Sequence, residues 1–174
     1  MRIFGFAGWS GSGKTTLIEQ VIPRLVAFGL RVSLVKHAHH SFDLDQPGKD
    51  SYRHRHAGCC EVLVSSGTRW ALVHELRGDL ELSIDEALAR LSPCDLALVE
   101  GFKTARIPKL EVWRDAVGKP LLHPGDSHIL AIATDSPRAL PADSHGRLPV
   151  LGLDDYAAVA TFVSRSASVW RMPH

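Results

Sequence analysis

Gly8-Trp9-Ser10-Gly11-Ser12-Gly13-Lys14-Thr15 satisfies the phosphate-loop pattern, a glycine, four residues, then Gly-Lys-Ser/Thr. Its flanks decide the fold. Ahead of it, Arg2-Ile3-Phe4-Gly5-Phe6-Ala7 is a short apolar run that reads as a buried strand. Behind it, Thr16-Leu17-Ile18-Glu19-Gln20-Val21-Ile22 reads as the opening of a helix. Strand, glycine loop and helix are the arrangement the motif requires. Glycines let the backbone turn so that several N–H groups converge on a phosphate, and the helix N-terminus adds partial positive charge. Ser10, Gly11, Ser12, Gly13, Lys14, Thr15 and Thr16 are therefore the nucleotide-binding candidates. Lys14 serves the β- and γ-phosphates, and the Thr15 hydroxyl serves magnesium. The plain alternative, a glycine-rich turn, explains neither the Lys-Thr pair nor both flanks.

Working outward, 174 residues suffice for one domain with its own core, expected over residues 1–174. A net charge of +1 implies no field toward nucleic acid or a membrane surface. The 3 cysteines, with Cys59 and Cys60 adjacent, make neither a disulfide framework nor a zinc spacing. With no apolar run of membrane-spanning length and no signal peptide ahead of the first strand, a cytoplasmic setting is expected.

Residues 14–28 read as a helix, with Leu17, Val21, Leu25 and Phe28 as its buried stripe, Pro23 as a local conflict and Gly29 as its stop. A strand over 31–36 then completes a βαβ unit with parallel strands. A short helix follows at 50–57, with Asp50 as a possible cap. Runs at 61–66 and 68–74, split at Gly67, read as a hairpin that adds an antiparallel element. Ser83-Ile84-Asp85-Glu86 resembles a capping box opening a helix to about residue 91. Strands are expected at 95–101, 110–114, 129–135 and 150–153, a loop at 136–147, a helix capped by Asp154 running to about 168, and a frayed tail from 171. The fold class is α/β: a P-loop NTPase-like, three-layer fold with a mostly parallel sheet and a small hairpin.

The run Asp95-Leu96-Ala97-Leu98-Val99-Glu100-Gly101 lacks alternation, as a strand covered on both faces does. Glu100 stands where phosphate-loop proteins keep a magnesium-holding acid, so Thr15 and Glu100 are the metal candidates. Five of the 10 histidines lie between His37 and His56. They follow the C-terminal end of a parallel strand, where such sheets bind ligands. Lys36, His37, Lys49, Asp50 and Arg53, with Arg55, form a candidate second anion site. A histidine metal site and a solvated polar loop remain open alternatives there, and Asp43, Asp45 or Asp50 could instead reach magnesium. Asp135, at the end of the 129–135 strand, could accept from the N1 and N2 edge of guanine, although the Asn-Lys-x-Asp signature is absent. Trp9 covers a nucleotide, packs on another subunit or caps the loop's outer side.

Four blocks together resemble the MobB family of molybdopterin-guanine dinucleotide biosynthesis adaptors. They are Phe6-Ala7-Gly8-Trp9-Ser10-Gly11-Ser12-Gly13-Lys14-Thr15-Thr16, Val35-Lys36-His37-Ala38-His39-His40, Pro47-Gly48-Lys49-Asp50-Ser51 and Leu98-Val99-Glu100-Gly101-Phe102-Lys103. The resemblance implies a homodimer that binds GTP and Mg2+, hydrolyses GTP weakly and assists the MobA guanylyltransferase, which attaches GMP to molybdopterin. Molybdopterin is a further ligand it allows. Residues 78–93 and 118–147 match less clearly. A small-molecule kinase is the competing reading, with Arg53 and Arg55 as lid arginines, and a scaffold with a vestigial loop is a third.

Overall fold

The computed structural model describes residues 1–38, 42–141, 144 and 148–171. In chain order the elements are β1 (Arg2–Ala7), α1 (Lys14–Ala27), β2 (Val32–Lys36), α2 (Asp50–His56), β3 (Glu61–Ser65), β4 (Trp70–His74), α3 (Ile84–Ala89), β5 (Leu96–Glu100), β6 (Lys109–Trp113), β7 (Ile129–Thr134), β8 (Val150–Gly152), α4 (Tyr156–Ser166) and β9 (Ser168–Val169). The chain divides into two compact units. One is Met1–His37 with Ile84–His174, and the other is Ala38–Ser83.

The first unit is a sheet in the order β2-β5-β1-β6-β7-β8, every neighbouring pair parallel. Side chains alternate between its faces. Phe4, Phe6, Leu96, Leu98, Leu110, Val112, Ala131 and Ala133 meet Leu17, Ile18, Val21 and Leu25 of α1 and Val159, Ala160 and Val163 of α4. Ile3, Ala97 and Val99 turn the other way, onto Leu88 of α3, Cys94 and Ile107. Helices therefore cover both faces, which is why β5 is a continuous apolar run. Leu25 is 0% exposed in the α1 layer. Leu25→Ala is expected to cost about 2–5 kcal/mol, the range for a buried leucine that leaves a cavity. A urea midpoint matching the wild type would contradict this packing role.

Helix α1 runs through Pro23 and ends as predicted at Gly29. Leu30 N–H donates to Leu25 O, and Gly29 N–H donates to Val26 O, closing the last turn. Phe28 leaves the buried stripe and is 52% exposed, because the chain is already turning there. At the far end, Asp155 rather than Asp154 caps α4, its carboxylate accepting from Ala158 N–H at 3.0 Å. That helix stops at Ser166, and Ser168–Val169, expected to be helical, pairs antiparallel with Arg2 and Ile3 as β9. Those two residues lie on the edge of β1 whose Gly5–Ala7 segment pairs with β6. β9 thus supplies partners where β6 does not reach. Strand β6 begins one residue earlier than expected, at Lys109, which is 1% exposed.

In the second unit, β3 and β4 form the predicted antiparallel hairpin as a separate two-stranded sheet. The turn is closed by Ser66 N–H donating to Arg69 O. The N-cap of α2 is Lys49, not Asp50, which is the first helical residue. An acid in the first turn still complements the helix dipole. The histidines at His39 and His40, Ser41, most of the 142–147 stretch and the tail from Met172 lie outside the described residues.

Candidate functional site

Sheet register builds the site. Glu100 pairs with Phe6 of β1 on one side and Lys36 of β2 on the other. Residues two apart share a face, so Glu100 lies on the same side as Leu96 and Leu98, toward α1. There the Thr15 hydroxyl donates to Glu100 Oε1 at 2.8 Å, and Lys36 Nζ sits 3.3 Å from Glu100 Oε2. A mostly buried carboxylate is thus held between a hydroxyl and an ammonium at the mouth of the loop.

The loop itself is closely packed. A side chain at Gly8 would collide with Val112 O and lie 2.8 Å from Ser12 Oγ, so only glycine fits. Ser12 Oγ is buried and has no hydrogen-bond partner among the described residues. Lys14 folds back over the loop, Nζ donating to Gly8 O at 3.0 Å and Trp9 O at 2.8 Å. Burial lowers the Lys14 pKa below that of an ordinary lysine, partly opposed by the Glu100 charge. The Trp9 indole N–H donates to Pro120 O at 2.8 Å. Lys103 Nζ lies 4.5 Å and Lys119 Nζ 6.0 Å from the centre of its ring. Of the three roles open to Trp9, pinning the outer side of the loop is the one these contacts carry. An orphaned hydroxyl, a cradle closed to any side chain, a lysine parked on carbonyls and a hydroxyl–carboxylate pair fit a phosphate chain with a hard cation.

After Glu100 the backbone turns through Gly101 (φ +93°) and Phe102 (φ +40°). A left-handed phenylalanine is uncommon and marks local strain next to the acid. The turn presses Gly101 against the His37 Cβ and sets the His37 ring 4.9 Å from Phe102. Lys36 and His37 of the proposed anion site therefore border Glu100 in the first unit. Lys49, Asp50 and Arg53 belong to the second unit. There Asp50 and Arg53 form an exposed ion pair at 3.7 Å and line a cavity of about 560 Å³ with Tyr52, His54, His56 and Ala57.

Arg55 is not an anion ligand or a lid arginine. It is 7% exposed and bound within its own unit by Asp43 Oδ1 at 2.7 Å, Asp45 Oδ2 at 3.3 Å and Glu75 Oε1 at 2.5 Å. Asp43 and Asp45 are spent on that cation rather than on magnesium. The Asp45 backbone N–H, and after it Arg55, hold the Asp43 pKa below 3.8. Its contribution to stability is present at neutral pH and is lost as pH falls below that value through the folded pKa. Arg55→Ala would leave three carboxylates facing one another. Amide hydrogen exchange across α2 and residues 43–45 is expected to accelerate, and unchanged protection would contradict the tethering role.

Asp135 is half exposed, its Oδ1 accepting from Ser136 Oγ at 2.9 Å and its Oδ2 3.2 Å from Arg114 Nε. Arg114 escaped sequence reasoning, although it ends the predicted 110–114 strand. A basic residue three positions beyond the β1–β6 register pair Ala7–Glu111 signals it only once the strand order is known. Glu111 was missed as well. It is 0% exposed and accepts from the Leu122 and His123 N–H groups at 2.6 and 2.9 Å, fixing the segment that carries Pro120. Burial raises its pKa, against those hydrogen bonds. Among the described residues no helix is long and apolar enough to cross a membrane, and no cluster of metal-ligating side chains stands ready-made.

Comparison with known proteins identifies the family. Residues 3–135 match the family model of MobB, molybdopterin guanine dinucleotide synthesis protein B. The chain is 42% identical over 164 residues to the molybdopterin-guanine dinucleotide biosynthesis adapter protein of Escherichia coli (strain K12), covering 92% of this chain and 90% of that one. Over 135 residues it is also 42% identical to the protein of the same name from Haemophilus influenzae, covering 78% and 75%. The crystal structure of Bacillus subtilis MobB aligns with a TM-score of 0.73 at 26% identity, covering 95% of this chain and 98% of that one. On the match of the family model and these relatives, the chain belongs to the MobB family.

Proposed function

We propose that this chain binds GTP with Mg2+ at the loop Gly8–Thr15 and acts as an adapter in molybdopterin-guanine dinucleotide synthesis, assisting a MobA-type guanylyltransferase. The observation that carries the nucleotide half is the Thr15–Glu100 hydrogen bond at 2.8 Å, set by strand register beside Lys14. Ser10, Gly11, Ser12, Gly13 and Thr16 would present backbone and hydroxyl donors to the phosphates, and Lys14 would leave its carbonyl partners for them. Thr15 and Glu100 would hold the metal, which when bound neutralises phosphate charge. Asp135 would accept from the guanine edge. A carboxylate has acceptor capacity beyond the two contacts it already makes.

Weak hydrolysis is what the resemblance to this family implies. The adapter role rests on the name borne by the relatives. A homodimer is supported by Leu63, Val64, Trp70 and Leu72, apolar residues left exposed on the hairpin. Lys36 and His37 supply cationic and polar chemistry suited to the phosphate of a pterin ligand, as Lys49, Asp50 and Arg53 do within their own unit. A cytoplasmic setting suits the three free cysteines.

A reconstituted assay tests the role. Dinucleotide formation by a MobA-type guanylyltransferase from GTP and molybdopterin is expected to rise when the chain is added and not when its Lys14→Ala variant is added. No rise with the wild type would overturn the adapter reading. Transfer of phosphate from ATP to a small metabolite would favour the kinase instead.

A further inference from the structure

Arg114 lies between the two halves of the site. A Cβ at Gly13 would be 3.3 Å from Arg114 Nη2 and 3.5 Å from its Cζ, so the guanidinium covers the Cα of the residue that caps α1. On the other side its Nε is 3.2 Å from Asp135 Oδ2. That nitrogen is buried yet completes no aligned hydrogen bond. Charge holds the arginine there, while Nε is left without a hydrogen-bond partner among the described residues. The side chain as a whole is 40% exposed, but its Nε is buried, and a buried donor without an aligned acceptor is costly unless a ligand completes it. The neighbouring group is the glycine-loop backbone at a helix N-terminus, where anions bind. A planar fork of donors matches phosphate oxygens better than it matches any group now facing it.

From this placement we infer that Arg114 is a nucleotide ligand supplied by the chain itself, donating to the phosphate chain bound over Gly13 while Asp135 keeps it in position. The inference deepens the nucleotide reading above and rests on it. The pair also links the phosphate half of the site to the residue assigned to the base. The inference assigns Arg114 to binding and makes no claim on the rate of hydrolysis.

The test is binding of GDP and of a non-hydrolysable GTP analogue by titration calorimetry, together with 31P NMR of the bound nucleotide, for the wild type, Arg114→Ala, Arg114→Lys and Lys14→Ala. Loss of one charge-assisted contact weakens binding by about tenfold. Arg114→Ala is expected to show that loss and a shifted 31P resonance. Arg114→Lys keeps the charge but not the fork, should fall between it and the wild type, and reads out the role if the alanine variant fails to fold. Wild-type affinity and an unchanged 31P spectrum in the arginine variants, with Lys14→Ala still impaired in triphosphate binding, would overturn the inference and leave the nucleotide reading standing. Absence of GDP binding to the wild type would overturn both.

Discussion

Lys14→Ala is expected to weaken binding of a non-hydrolysable GTP analogue by about 100-fold, and of GDP by considerably less. Each hydrogen bond from an ammonium to a phosphate is worth about 1.5–3 kcal/mol, and tenfold in affinity is about 1.4 kcal/mol. Lys14 offers such contacts to both terminal phosphates of the triphosphate but to only one in the diphosphate. Its Nζ is bonded to Gly8 O and Trp9 O, so phosphate contacts would replace those bonds rather than be made from solvent. The exchange trims the net gain and keeps the side chain ordered beforehand. Burial lowers the Lys14 pKa, so the ammonium gives up its proton at a lower pH than an ordinary lysine does. Affinity should then fall as pH rises through that lowered value, before an ordinary lysine near 10.5 would deprotonate. Equal losses for the triphosphate and the diphosphate would remove Lys14 from the terminal phosphates.

The second large effect is expected at Glu100. Glu100→Gln preserves the shape and the acceptor for Thr15 but removes the negative charge. It also leaves Lys36 Nζ without the partner it has at 3.3 Å. Magnesium prefers charged oxygen ligands in fixed positions, so the gain in triphosphate affinity on adding magnesium should shrink by about tenfold or more. Affinity measured in EDTA should change little or even rise, because a negative charge near the phosphates is gone. An unchanged magnesium increment would remove Glu100 from the metal site.

The loop and its flanks were legible because a local pattern specifies them: strand, glycines and helix follow one another without interruption. Glu100 was legible for a related reason. Its strand is buried on both faces and ends in an acid, and the fold leaves few places for such a strand. The hairpin followed from two β-rich runs around Gly67. What escaped depends on contacts distant in sequence. Arg114 meets Gly13 and Asp135 only because β6 lies between β1 and β7. Glu111 looked like a polar position of the 110–114 strand, and Lys109 fell in the loop ahead of it. Both are buried, and Lys109 donates to Lys103 O and Ala105 O at 2.8 Å and pairs with Asp126. Arg55 looked like an anion ligand because composition records its charge and not the Asp43, Asp45 and Glu75 carboxylates that neutralise it. Ser168–Val169 took strand geometry against the helical pattern because β1 had an unpaired edge there.

The central claim is that the loop Gly8–Thr15, Glu100 and Asp135 form one guanine-nucleotide site. An equilibrium titration of the wild-type chain with GTP and with ATP, each with and without magnesium, tests it most directly. The account predicts saturable binding of GTP that strengthens with magnesium and a weaker response to ATP. Absence of binding to either nucleotide, or equal affinity for both that ignores magnesium, would contradict it.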